Sequence, residues 1–183
     1  LETAEVLALL GRAKLDAGHP DGLALVMEAD TTAAAIAGES ARRQFTAYHA
    51  CEALLEAGRP ADAAPHCRRT LAIALQEHAP EHPEVVDARR LLAEAELASG
   101  RVAQRGELEA GLSSLEKTGA WPREVLAARF ALARVLARDK GAAARSRSLA
   151  LAHGALDVAQ RCPTRRRRVA AIEQFLSARA HRS

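Results

Sequence analysis

Residues 58–83 read GRPADAAPHCRRTLAIALQEHAPEHP, and this stretch decides the fold. It opens with Gly58 and Pro60. Glycine ends a helix easily because it tolerates the left-handed conformation, and proline fits the first turn of a new helix. The interior is rich in alanine and leucine, which are strong helix formers, and two closing prolines cannot continue a helix. The stretch therefore predicts a helix over 60–78 between two sharp turns.

Glycine recurs along the chain wherever a helical pattern stops. Gly18, Gly58, Gly100 and Gly141 lie 40, 42 and 41 residues apart, and prolines or a further glycine interrupt the chain between them. Apolar residues follow helical spacing inside the segments that these breaks delimit. The predicted helices span 2–17, 20–37, 39–57, 60–78, 83–99, 101–118, 122–138, 141–160 and 164–181.

A fixed repeat of helix pairs is the signature of a solenoid, because one pair cannot bury its apolar face alone. Aromatic residues make up only 3% of the chain, and β-branched and aromatic residues are what strands use. We therefore expect an all-α protein built from antiparallel helix pairs, as one array over 1–183. Its repeats span about 1–38, 39–82, 83–121 and 122–162, with a C-terminal capping helix over 163–183.

Residues 58–83 resemble the extended tetratricopeptide repeat (TPR) of the kinesin-light-chain type, without a gap over 26 residues. The positions of that motif are occupied by Gly58, Asp62, Ala63, Leu71, Ile73 and the closing turn 80–83. From Pro83 onward the chain is also similar to the last repeats of TPR regions attached to bacterial serine/threonine protein kinases. The resemblance implies a right-handed superhelix that serves as a non-catalytic scaffold for protein contacts. It also implies a regulatory part of a larger bacterial signalling protein.

The resemblance places the partner-binding surface on the first helix of each pair, the A helix, which lines the concave groove of a TPR superhelix. The family's frame, counted back from the glycines that end two A helices, gives Phe45, Tyr48, His49, Glu52, Asp87, Arg90 and Glu94. Aromatic side chains beside opposite charges suit a peptide or protein segment held by a few anchors. The alternative is an empty, solvated groove.

The net charge of +3 conceals a polarity along the chain. Residues 1–100 hold nine Lys/Arg against sixteen Asp/Glu, a net −7, whereas residues 101–183 hold seventeen against seven, a net +10. The simple interpretation is a drift among solvated helix faces. The alternative function is self-assembly, in which the acidic half of one copy meets the basic half of another to form a homo-oligomer.

A basic patch accounts for part of this polarity. It comprises Arg161, Arg165, Arg166, Arg167 and Arg168. Such a cluster could meet phosphates or an acidic protein surface, or it could be a solvated face of the capping helix. The lack of interleaved aromatic residues argues against nucleic acid, and the solvated face is the preferred interpretation.

The histidines and cysteines offer the remaining candidates for chemistry. His78 and His82 are four residues apart, and His66 adjoins Cys67. Two histidines at this spacing on a helix could share a metal. Pro80 lies between them and argues against a continuous helix, so we expect structural histidines and no metal.

Cys51 and Cys67 fall mid-helix in one repeat, where we expect inert small hydrophobes. Three scattered cysteines without a CxxC are not a disulfide framework, which indicates a reducing compartment and a cytoplasmic protein. No apolar run approaches the length of a membrane span, and no nucleotide-binding or hydrolase motif occurs. We therefore expect no membrane contact, no cofactor and no enzymatic activity.

Overall fold

The computed structural model describes residues 2–36, 40–100, 105–118, 122–161 and 166–180. Within these ranges the chain consists of helices and short turns, without a strand. The helices are α1 Glu2–Asp16, α2 Gly22–Ile36, α3 Ala41–Glu56, α4 Pro60–Glu77, α5 Pro83–Ala98, α6 Arg105–Thr118, α7 Pro122–Leu136, α8 Ala142–Gln160 and α9 Arg166–Ala180. None of these helices is both long and apolar enough to cross a membrane. The all-α prediction is confirmed, and most predicted ends are within two residues of the observed ones.

The helices form two compact units, Leu1–Val102 and Ala103–Ser183. Helices α1–α5 belong to the first unit and α6–α9 to the second. The predicted third repeat, 83–121, is therefore divided between the units. That both units continue a single array over 1–183 stays a prediction.

Within the first unit, each helix packs on the next one along the chain. Short turns make such neighbours antiparallel. The A helices also contact one another, α1 against α3 and α3 against α5. Three of the recurring glycines end helices in the left-handed conformation, Gly18, Gly58 and Gly100, with φ of 89°, 72° and 79°. Gly141 differs: its φ is −70°, and it is the N-cap of α8.

Two glycines set the close approach of α1 and α2. A Cβ added at Gly11 would lie 2.6 Å from the carbonyl oxygen of Gly22 and 2.7 Å from Cγ2 of Val26. A Cβ added at Gly22 would meet the carbonyl oxygen of Gly11 and the backbone nitrogen of Leu15. The two backbones therefore pack against each other, and neither position has room for a side chain.

The core of the first unit centres on α3, α4 and α5. It contains Cys51, Leu54, Ala63, Ala64, Cys67, Leu91 and Ala95, all almost fully buried. Cys51 and Cys67 form a disulfide that joins α3 to α4. The expectation of two inert thiols was therefore wrong, because helix packing within one repeat brings their Cα atoms to 5.1 Å. The argument for a reducing compartment, which depended on the lack of a disulfide, loses its basis.

A buried carboxylate fastens the first repeat to the second. Asp30 of α2 accepts a hydrogen bond from Thr46 Oγ1 at 3.1 Å, and its other oxygen lies 2.8 Å from His66 Nδ1 on α4. The guanidinium of Arg43 is 3.8 Å from the same carboxylate. Since these contacts satisfy the buried charge from two further helices, we assign the cluster a structural role.

The second unit has its own core, in which α9 covers α7 and α8. Leu126, Phe130 and Ala133 of α7 pack here against alanines of α8 and against Ile172. The rings of Phe130 and Phe175 meet edge to face at 5.6 Å. Ile172 and Phe175 thus attach α9 to α7 and α8, and the role of this helix as the cap of an array stays a prediction.

Candidate functional site

A set of charged and aromatic side chains lies along the A helices of the first unit, α1, α3 and α5. We call it the acidic face. It consists of Arg12 and Asp16 on α1, Phe45, Tyr48, His49, Glu52 and Glu56 on α3, and Asp87, Arg90 and Glu94 on α5. All seven groove residues predicted from the sequence belong to this face, and contacts between α3 and α5 bring them together.

Arg90 organises the α5 side of the acidic face. Its Nε donates to Asp87 Oδ1 at 2.7 Å and its Nη1 donates to Glu94 Oε1 at 2.9 Å. Although burial alone lowers the pKa of this guanidinium, the two carboxylates raise it well above its ordinary value. The side chain of Arg90 is only 3% exposed, and it holds two carboxylates that are themselves largely buried, with 20% of the Asp87 side chain and 14% of the Glu94 side chain exposed.

Arg12 likewise binds a carboxylate on the α1 side of the acidic face. Its Nη1 and Nη2 donate to the two carboxylate oxygens of Glu56 at 3.0 and 3.2 Å, in a bidentate pair. The same guanidinium lies 3.4 Å from Asp16 and 3.8 Å from Glu52. Burial lowers the pKa of Arg12 by itself, but the hydrogen bond to Glu56 and the surrounding carboxylates raise it.

Arg12 was not predicted from the sequence, although the signal was present. Glu52 and Glu94 each lie six residues before the glycine that ends their helix, Gly58 and Gly100. Arg12 lies six residues before Gly18, in the corresponding position of α1. Extending the frame to the first repeat would have found it.

The aromatic part of the face is half-buried. The ring of His49 packs edge to face against Phe45 at 4.5 Å and against Tyr48 at 5.4 Å. Burial, together with the charge of Arg12, lowers the pKa of His49 to about 4, so this imidazole is neutral near pH 7. Burial and then the charge of Asp87 raise the pKa of Tyr48. These rings supply fixed apolar contact area at the centre of a charged surface.

The acidic face carries an excess of negative charge. Five carboxylates, Asp16, Glu52, Glu56, Asp87 and Glu94, surround two guanidinium groups, which leaves a net charge of −3 when all are ionised. Burial raises the pKa of Glu52, and the two arginines oppose that shift. Asp16 and Glu56 are the most open members of the set, with 68% and 39% of their side chains exposed.

Three other clusters were predicted from the sequence: the His66–Cys67 pair, the His78–His82 pair and the basic patch. His66 is engaged by Asp30 and Cys67 by the disulfide, so that pair is committed within the fold. The rings of His78 and His82 stack at 4.0 Å across the α4–α5 turn. In the basic patch, Arg161 is exposed at the C-terminal end of α8. Arg165 and the side chains of Arg166, Arg167 and Arg168 lie outside the described part of the chain, so the patch stays a prediction.

Comparison with known proteins shows what this chain is similar to. No family model matches the sequence. No curated protein matches it. Among solved structures, it is similar to a Podosopora anserina putative kinesin light chain with nearly identical TPR-like repeats, seen in two crystal structures, one of a variant. In both cases the sequence identity is 18%, the match covers 100% of each chain, and the TM-score is 0.67. The chain therefore has the fold of a TPR-like helical repeat protein.

Proposed function

We propose that the acidic face binds a basic, extended or helical segment of another protein, and that the chain acts as a non-catalytic scaffold. The observation that carries this proposal is the net −3 charge of the face around a fixed cluster of three rings. Lysine or arginine side chains of a ligand would pair with the open carboxylates. An apolar anchor would pack on the edges of Phe45 and Tyr48.

The contacts within the face support a preorganised surface. The buried side chain of Arg90 fixes two carboxylates and Arg12 fixes a third, so a ligand need not order them. Preorganisation lowers the entropic cost of binding. The wider setting, a regulatory part of a larger bacterial signalling protein, is supported by the resemblance of the residues from 83 onward to repeats attached to kinases.

The test is selection from a random peptide library, followed by affinity measurement on charge variants. We expect the selected peptides to be enriched in lysine and arginine. The double variant Glu52→Gln with Glu56→Gln removes two of the five negative charges at nearly constant volume. We expect it to weaken binding roughly tenfold at low salt, equivalent to about 1.4 kcal/mol.

The matched control is Glu28→Gln with Glu77→Gln, which removes two exposed carboxylates from α2 and α4, outside the acidic face. Equal weakening in both double variants would show only a general effect of net charge. Selected peptides without basic residues would contradict the proposal.

A second candidate is self-assembly, and the division into two units favours it. The first unit, 1–102, holds ten Lys/Arg against sixteen Asp/Glu, and the second holds sixteen against seven. The units therefore carry net charges of −6 and +9. In this case the basic ligand of the acidic face would be the second unit of another copy. Native mass spectrometry across a salt series separates the two candidates: a salt-sensitive oligomer supports self-assembly, whereas a monomer at every salt concentration supports a separate ligand.

A further inference from the structure

The turn between α4 and α5 gathers three side chains of the kinds that bind transition metals. His78 is the C-cap residue of α4, and His82 is the N-cap residue of α5. Pro80 lies between the two histidines but does not keep their imidazoles apart, because the chain turns back on itself here. A hydrogen bond from the His82 N–H to the carbonyl oxygen of Ala79, at 2.9 Å, closes the turn. The rings stack with their centroids 4.0 Å apart and their planes 9° from parallel.

Glu84 completes the cluster from the first turn of α5. Its Oε2 lies 3.4 Å from His78 Nε2. One ligand atom from each of His78, His82 and Glu84 can be chosen so that all three lie within 4.8 Å of one another. Gln44 of α3, itself buried, donates from Nε2 to the same carboxylate oxygen at 3.0 Å. A fixed amide that orients a ligating carboxylate is a usual feature of metal sites.

Helix capping alone does not account for this arrangement. The cap of α5 needs only His82, whose Nδ1 accepts a hydrogen bond from the Glu84 N–H at 3.3 Å. Capping does not explain why the side chain of His78 lies beside the Glu84 carboxylate. Nor does it explain why Gln44 of α3 donates a hydrogen bond to that carboxylate. Both histidines are half-buried and Glu84 is exposed, so an ion can reach all three from solvent.

We propose that His78, His82 and Glu84 bind one divalent transition metal ion, with zinc as the best match, and that water fills the fourth position. Two imidazoles and a carboxylate are ligands that zinc accepts in tetrahedral geometry. This inference is independent of the proposed peptide-binding function.

Binding requires a small local rearrangement. In tetrahedral geometry, zinc–ligand distances of about 2.0–2.2 Å place neighbouring ligand atoms about 3.3–3.6 Å apart, so the cluster must contract. Parallel rings do not aim their nitrogens at one point, so one imidazole must turn out of the stack. The hydrogen bond to His82 Nδ1 places the proton of the neutral ring on Nε2, so coordination also displaces this long cap contact or shifts the proton. The bound ion would tie the end of α4 to the start of α5 and, through Gln44, to α3.

The experiment is calorimetric titration of untagged, oxidised protein with ZnCl₂ in a Cys162→Ser background, so that no free thiol competes. We expect one site per chain. His78→Gln and His82→Asn should each weaken it at least tenfold, and Gln44→Leu should weaken it to a smaller extent as a positioning residue. His82→Asn is informative because asparagine retains the cap and removes the imidazole. The controls His19→Ala and His153→Ala, on histidines elsewhere in the chain, should leave the affinity unchanged.

Thermal denaturation supplies a second readout. Zinc should raise the unfolding midpoint of the parent protein in a concentration-dependent way and should not raise that of His78→Gln or His82→Asn. Zinc binding of equal strength in the parent and in both variants would overturn the proposal, as would the absence of any saturable zinc binding by the folded parent.

Discussion

Replacing Arg90 with methionine tests the polar network that shapes the acidic face. The change keeps most of the volume of the side chain and removes its charge. It leaves Asp87 and Glu94 without the donors that lie 2.7 and 2.9 Å away. Removing one partner of a buried ion pair costs about 3–5 kcal/mol, because the remaining charge stays desolvated. The two carboxylates keep 20% and 14% of their side chains exposed, which places the expected cost at the lower end, about 3 kcal/mol.

Urea unfolding measures this cost. With an m-value of roughly 2 kcal/mol/M, the midpoint of Arg90→Met should fall by about 1.5 M. The triple variant Arg90→Met, Asp87→Asn, Glu94→Gln removes the stranded charges as well and should recover most of the loss. Arg68→Met, at an exposed position on α4, is the control and should change stability by less than about 0.5 kcal/mol. A cost below about 1 kcal/mol for Arg90→Met, or a triple variant as unstable as the single one, would show that the buried guanidinium does not stabilise these carboxylates.

Three further perturbations test the packing and the electrostatics of the first unit. Reducing the buried Cys51–Cys67 disulfide, whose cysteines are 16 residues apart, should lower the free energy of unfolding by about 3 kcal/mol. Alkylation of all three cysteines in unfolded, unreduced protein would show that the disulfide does not form. Gly11→Ala should destabilise the protein by about 1–3 kcal/mol in a thermal melt. The control Gly106→Ala adds a Cβ that meets no atom within 4 Å and should stabilise the protein slightly. Equal effects of the two changes would contradict the close contact between α1 and α2. The pKa of His49 is lowered to about 4 in the folded protein, whereas the ordinary pKa of histidine is near 6.5. Between these two values the unfolded chain binds the extra proton, so the free energy of unfolding falls as the pH drops, and His49→Gln should remove up to about 1.4 kcal/mol per pH unit from that slope. An unchanged slope in urea melts at pH 4.5–6.5 would contradict the lowered pKa.

The helical framework could be predicted from the sequence because its signals are local. Glycine at a helix end and proline at a helix start act on the backbone of their own turn, so their spacing along the chain locates each turn. The left-handed conformation at Gly58 and Gly100 is a direct consequence. Gly141 was harder to interpret, because glycine also suits an N-cap and the pattern alone does not separate the two uses.

The contacts between helices were less accessible to prediction. The family frame selected residues of α3 and α5 that lie close together in the fold, and their role as a groove stays a prediction. The burial of Arg90 could not be predicted in this way, because it depends on neighbours from two helices. The disulfide also depends on contacts between helices. Cys51 and Cys67 are 16 residues apart in the sequence, and they come together only because the turn at Gly58 folds α4 back onto α3. The burial of Asp30 has no local signal in the sequence either, because its partners lie 16 and 36 residues further along the chain.

A label at Tyr48 reports whether the acidic face holds a protein segment. Tyr48 is the only tyrosine in the chain, so 3-fluorotyrosine places a single ¹⁹F label on the face. During titration with a basic peptide selected from the random library, the ¹⁹F resonance should shift and saturate with the affinity measured by fluorescence anisotropy. A peptide that saturates the protein by anisotropy while the resonance of Tyr48 does not move would show that binding occurs elsewhere, and would contradict the account.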